Sequence, residues 1–124
     1  MFGLNDYINV WQNEKDYSWE SFWLMFGTFL DSFYLKKDFN MLKEKPNYNT
    51  DVPIEIKAFI AASVDYLCDG VNSPKWVKDN EHILKKPFFP SGLKGPIRAV
   101  MLIESPIEFK VRNIYVTADV LKRV

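Results

Sequence analysis

The chain has 124 residues, 48% of them hydrophobic and 16% aromatic, which is material for one domain with a sizeable core and too apolar for intrinsic disorder. Sixteen basic residues balance sixteen acidic ones, so no net field would gather nucleic acid or an anionic membrane, and a charge-driven partner must meet a local patch. The single cysteine, Cys68, excludes an internal disulfide and accords with a cytoplasmic setting.

The opening MFGLNDYINV lacks the positive segment and long apolar core of a signal peptide, and residues 1–17 read as a peripheral N-terminal extension. The run WESFWLMFGTFLDSFYL (19–35) falls short of the roughly 20 residues that span a bilayer. It also carries Glu20 and Asp31, each costly at a membrane centre, so no membrane span is expected. Instead Trp19, Phe22, Trp23, Phe26, Phe29, Leu30 and Phe33 recur at helical spacing, with Ser18 placed to cap the start. Leu24, Met25, Tyr34 and Leu35 lie off that stripe, so this helix wants cover on two sides, from the same chain or from another. Lys36 and Lys37 suit its negative end. KPNYNTD (45–51) reads as a loop.

A second helix opens near Val52 and Pro53, with Thr50 or Asp51 as caps and Pro53 in the first turn. Ile56, Phe59, Ile60, Val64 and Leu67 form its apolar stripe, Glu55, Lys57, Asp65 and Asp69 are free to face water, and Gly70 is a fitting stop. NSPKWV (72–77) signals a short helix that turns Trp76 and Val77 inward. EHILKKPFFPSG (81–92) reads as an ordered loop pinned by Phe88 and Phe89. GPIRAVMLIE restarts a helix at Pro96, with Ile97, Val100, Met101 and Ile103 or Glu104 available to meet other elements; SPIEF starts again at Ser105, and Thr117 caps TADVLKRV. Pro53, Pro74, Pro96 and Pro106 each stand where a helix could begin, because the residue before a proline is pushed out of helical geometry.

The chemistry is sparse. Cys68 continues the Ile60, Val64 spacing as a small hydrophobe, and nothing in the sequence sets it beside a base. His82, the one imidazole, lies in a polar loop where solvation is expected, and no set of three or four zinc ligands is evident. The glycines, SGLKG included, fit no phosphate-binding loop or dinucleotide fingerprint. No metal or cofactor is therefore expected. Asp31, inside the aromatic helix, reads as a carboxylate at the edge of the apolar surface that pairs with a base or with water.

The arginines are more informative. Thirteen lysines accompany only three arginines, Arg98, Arg112 and Arg123, all within the last 27 residues. The planar guanidinium fork suits carboxylates and phosphates in a way lysine cannot copy. Two readings compete for Arg112: a structural clamp onto Glu104, Asp65 or Glu108, or part of a contact patch with Lys94, Arg98, Lys110, Lys122 and Arg123. Residues 94–124 hold six basic and three acidic groups, too small an excess to define a nucleic-acid binder by itself.

SPKWV, LKKPFFPSGL, RAVMLIESPIEFKVRNIYV and ADVLKR, taken in that order, resemble the C-terminal half of a family of small bacterial helical proteins. These share Glu-Ser-Pro, Phe-[Lys/Arg]-x-Arg-Asn-[Ile/Leu]-[Tyr/Phe]-Val and a terminal Leu-x-Arg. The resemblance covers roughly residues 73–123. It implies a cytosolic helical domain, with some relatives linked to toxin–antitoxin or regulatory loci, and carries over no catalytic residue.

The expected fold is all-α, a compact single-domain bundle of about four to six short and medium helices with an irregular C-terminal segment. The expected function is a noncatalytic protein-interaction or antitoxin-like module that engages a protein partner or a second copy. Arg98, Lys110, Arg112, Arg123, Glu104 and Trp76 are its candidate contact or clamp residues. The alternatives are a nucleic-acid-associated regulator using the C-terminal bases, and an enzyme with a dispersed carboxylate site.

Overall fold

Leu4, Ile8 and Trp11 repeat at the helical period, and in the computed structural model, which describes residues 3–69 and 72–123, they wind into helix α1 (Leu4–Asn13). Asp6 closes its first turn by accepting the Gly3 N–H at 2.8 Å. Leu4, Ile8, Trp11 and Gln12 are buried, so this part of the chain is core rather than the peripheral extension expected of residues 1–17. Gln12 pairs with the following loop as a peptide would: its Nε2 donates to the Asn47 carbonyl at 2.7 Å and its Oε1 accepts the Asn49 N–H at 2.9 Å.

Helix α2 (Trp19–Lys36) begins where expected, the Ser18 hydroxyl accepting the Ser21 N–H, and ends at Lys37 in a left-handed conformation with φ 49°. Phe22, Phe26, Phe29, Leu30 and Phe33 are buried. Phe22 stacks on Phe26 with centroids 5.1 Å apart, and α1 packs against this row through Trp11 on Phe22 and Tyr7 on Phe29, both edge-to-face. Cover fails at Leu24, 77% exposed, and Leu35, 84% exposed. A 3₁₀ turn at Phe39–Leu42 adds buried Met41 and Leu42. These elements, up to Pro53 and joined by Arg123, form one compact unit.

The second unit runs from Ile54 to Lys122, so the contacts group the chain into two compact units where composition suggests one domain. Its axis is α3 (Ile54–Leu67), which follows Pro53 directly. Every residue from Ala58 to Asp65 is buried, which makes α3 an enclosed helix rather than an amphipathic one. Asp65, expected to face water, is inside. Gly70 lies outside the described residues.

Around α3 pack 3₁₀ turns at Lys75–Lys78 and Asn80–His82 and the short helix α5 (Ile107–Lys110), while α4 (Ile97–Glu104) precedes α5. Pro74, Pro96 and Pro106 each stand immediately before one of these starts. Trp76 and Val77 turn inward, and Phe109 meets Phe59 and Tyr66. Of α4 only Met101 is buried; Val100 and Ile103, expected to meet other elements, are exposed. Thr117 caps no helix: its hydroxyl donates to Asp119 in a turn. The class is nonetheless the expected one, five α-helices and three 3₁₀ turns, with a single parallel bridge, Phe88 to Ile114, and no strand among the described residues. No described helix is long and apolar enough to cross a membrane.

Candidate functional site

Arg112 sits at the end of α5, where a tight turn carries the chain through Asn113 at φ 66°. Its side chain is almost wholly buried and its fork reaches three acceptors: Nη1 donates to Asp65 Oδ2 at 3.2 Å and to the Glu108 carbonyl at 2.6 Å, while Nη2 donates to the Val77 carbonyl at 2.6 Å. Asp65 spends its other oxygen on the Ser73 hydroxyl. One guanidinium thus ties α3, α5 and the Lys75–Lys78 turn together. Of the three carboxylates offered by the sequence, Asp65 is the partner, and Glu108 contributes its backbone instead. The geometry is that of a structural clamp, since a buried ion pair with its lone pairs satisfied presents nothing to a ligand. A cavity of about 190 Å³ beside it, walled by Ile83 and Val111, is smaller than ordinary ligand sites.

The strip that follows is sewn to its neighbours. Leu84 N–H donates to the Arg112 carbonyl, Phe88 N–H to Asn113, and Tyr115 N–H to Phe88. The single proton of the buried Ser105 hydroxyl is shared between the Met101 and Val116 carbonyls, at 2.6 and 2.8 Å, and its oxygen accepts the Val116 N–H at 2.7 Å.

Three of the remaining bases have local partners. Arg98 lies over the Phe89 ring at 4.3 Å and donates to the Leu93 carbonyl, and Lys110 caps the Ile103 carbonyl at 2.8 Å. Arg123 belongs to the first unit, where Nε and Nη2 grip the two oxygens of Asp31 at 2.9 and 3.2 Å. The hydrogen bond from Arg123 holds the Asp31 carboxyl below its ordinary range, with the guanidinium charge acting in the same direction. The expected C-terminal patch therefore loses Arg112 to burial and Arg123 to an ion pair. Glu104 is exposed on α4, and Trp76 is buried edge-on to His82.

His82 overturns the expectation of a solvated loop residue: it is fully buried in the Asn80–His82 turn. Its Nε2 lies 3.5 Å from Glu81 Oε1, and with Asp79 these donors lie within 4.8 Å of one another. They are the described residues that could gather about a cation, but zinc ligands stand about 2.0–2.2 Å from the metal. Three donors also fall short of the four of a structural zinc site, and the packing of the imidazole against Trp76 opposes its turning outward. Cys68 is buried, and that burial, aided by the charge of Asp65, pushes its thiol pKa up, away from a nucleophile's requirement.

What sequence reasoning missed is the surface between α1 and α2. An open groove of about 700 Å³ is walled by Tyr7, Val10, Leu24 and Met25, and the charged groups lining it are Asp6, Glu14 and Asp16, all carboxylates. Val10 is 65% and Leu24 77% exposed, so the walls are apolar side chains standing in water. The Trp11 indole N–H donates to Ser21 Oγ at 2.8 Å, and that hydroxyl donates to the Asp16 carbonyl, joining α1, the loop and α2 along the groove. The signal was present in Leu24 and Met25, off the main stripe of α2, but not in α1. No protein-family model, curated protein or solved structure matches the chain.

Proposed function

We propose that this chain is a noncatalytic protein-interaction module, antitoxin-like in acting by covering a partner's apolar segment in the bacterial cytoplasm, and that a helical segment of that partner lies in the α1–α2 groove. The observation that carries this reading is the pair of strongly exposed apolar walls, Val10 and Leu24, on two helices pinned to each other by the Trp11–Ser21 hydrogen bond. A small ligand needs a site that encloses most of its surface, whereas a groove with such open walls suits a segment laid along it. The bases that a nucleic-acid regulator would have used at the C-terminus are engaged internally at Arg112 and Arg123.

The test is selection of helical peptides from a displayed library on the intact chain. Selected binders should lose at least about tenfold in affinity when Leu24→Asp is introduced with the circular dichroism spectrum unchanged. Failure to select any saturable binder, or binding indifferent to Leu24→Asp, rejects the reading.

A further inference from the structure

We infer that the segment received by the α1–α2 groove is a cationic amphipathic helix, with Lys or Arg at both ends of a short apolar stripe. This rests on the interaction-module reading and adds the chemistry of the partner. Asp6 stands in the first turn of α1, and Glu14 caps its far end. Eight residues of helix separate them, about 12 Å of rise. Asp16 lies beside Glu14 in the α1–α2 loop, so the groove has a carboxylate at one end and two at the other, with Val10, Leu24 and Met25 between.

A helix running along α1 places side chains over that same 12 Å when they are about eight residues apart. Apolar residues at intervals of three and four between them would meet the walls. Another depression contrasts with it: at about 570 Å³ it mixes Glu55 and Glu81 with Lys85 and Lys86 and selects neither sign. Within the groove Asp6 and Asp16 already accept backbone N–H groups from Gly3 and Ser18, which fixes where their charge lies without neutralising it. An anionic or neutral helix would bury the same apolar area with no such match, and a cationic one also gains encounter rate.

The experiment compares two synthetic helical peptides with identical apolar faces, one carrying Lys and Arg at its ends and one carrying Glu, by fluorescence anisotropy against the full chain. The cationic peptide should bind about tenfold tighter or more at low salt, each exposed pair contributing roughly two- to fivefold. The margin should narrow as salt rises. The variant Asp6→Asn, Glu14→Gln, Asp16→Asn retains oxygen acceptors for Gly3 and Ser18 and should bring the peptides to parity with the thermal transition preserved. Equal binding to the wild-type chain overturns the charge inference while the groove remains a docking site. Binding of neither peptide, or binding unaffected by Leu24→Asp, overturns both. A dimer in light scattering that Leu24→Asp splits and the cationic peptide does not displace assigns the groove to a second copy and also overturns the inference.

Discussion

Arg112 and Arg123 each pair with an aspartate, and burial separates what the two pairs do. In the second unit Arg112 is 4% exposed at its side chain and Asp65 11%, and two backbone carbonyls complete the fork. In the first unit Arg123 and Asp31 meet with better bidentate geometry, yet their side chains are 43% and 55% exposed. Water competes for the exposed pair and leaves it little net effect, while removing Arg112 from the buried pair strands the Asp65 charge with only the Ser73 hydroxyl as a remaining partner. Geometry alone would rank them the other way.

The largest expected effect tests that ranking. Arg112→Ala should lower the stability of the chain by about 3–5 kcal/mol, read as a fall in the urea midpoint, because the Asp65 carboxylate is left buried. Arg112→Lys should fall between, since one ammonium cannot reach Asp65, Glu108 and Val77 in a planar fork. Replacing the pair together, Arg112→Met with Asp65→Leu, should cost less than Arg112→Ala alone. If the double replacement proves the worse, the clamp is an attractive interaction in its own right rather than a satisfied burden.

A smaller effect concerns Gly27. A Cβ built there would stand 3.0 Å from the Arg123 guanidinium, so the glycine leaves room for the fork to lie against α2. In an Arg123→Ala background, Gly27→Ala should stabilise the chain by about 1 kcal/mol through helix propensity. With Arg123 present the gain should be visibly less, and equal gains in both backgrounds would show that the fork does not depend on the glycine.

The smallest effect is electrostatic. Because Asp31 titrates below its ordinary range when folded, its pair contributes above the unfolded carboxylate pKa of about 3.9 and loses that contribution as pH falls through the lower folded value. Asp31→Asn should therefore be slightly less stable than wild type at neutral pH and indistinguishable from it in strong acid. Salt near 1 M should erase the neutral-pH difference, while the Arg112→Ala deficit should persist, since buried pairs are screened far less.

Helix starts were the most legible feature. Ser18 and the helix-initiating prolines mark them through local chemistry that does not depend on what the helix packs against. The ends and the faces were harder. Asp65 lies on the enclosed α3, and its burial follows only from Arg112, 47 positions away. His82 has the polar neighbours of a surface residue, yet the Asn80–His82 turn packs it against Trp76. Helix α1 was missed because only Leu4, Ile8 and Trp11 form its buried apolar stripe, and its wall of the groove exists only once α2 lies alongside.

By itself the sequence determined the all-α class, the aromatic core of α2, and most of the positions at which the chain is cut into short helices, and it singled out Arg112 without choosing between clamp and contact. Those are local properties, written in periodicity, capping and side-chain shape. The tertiary structure decided which carboxylate Arg112 would hold, that Arg123 would spend its fork on Asp31, and that three acids would collect around one apolar groove. Burial and charge pairing depend on distances between residues far apart in the chain, and only packing sets those distances.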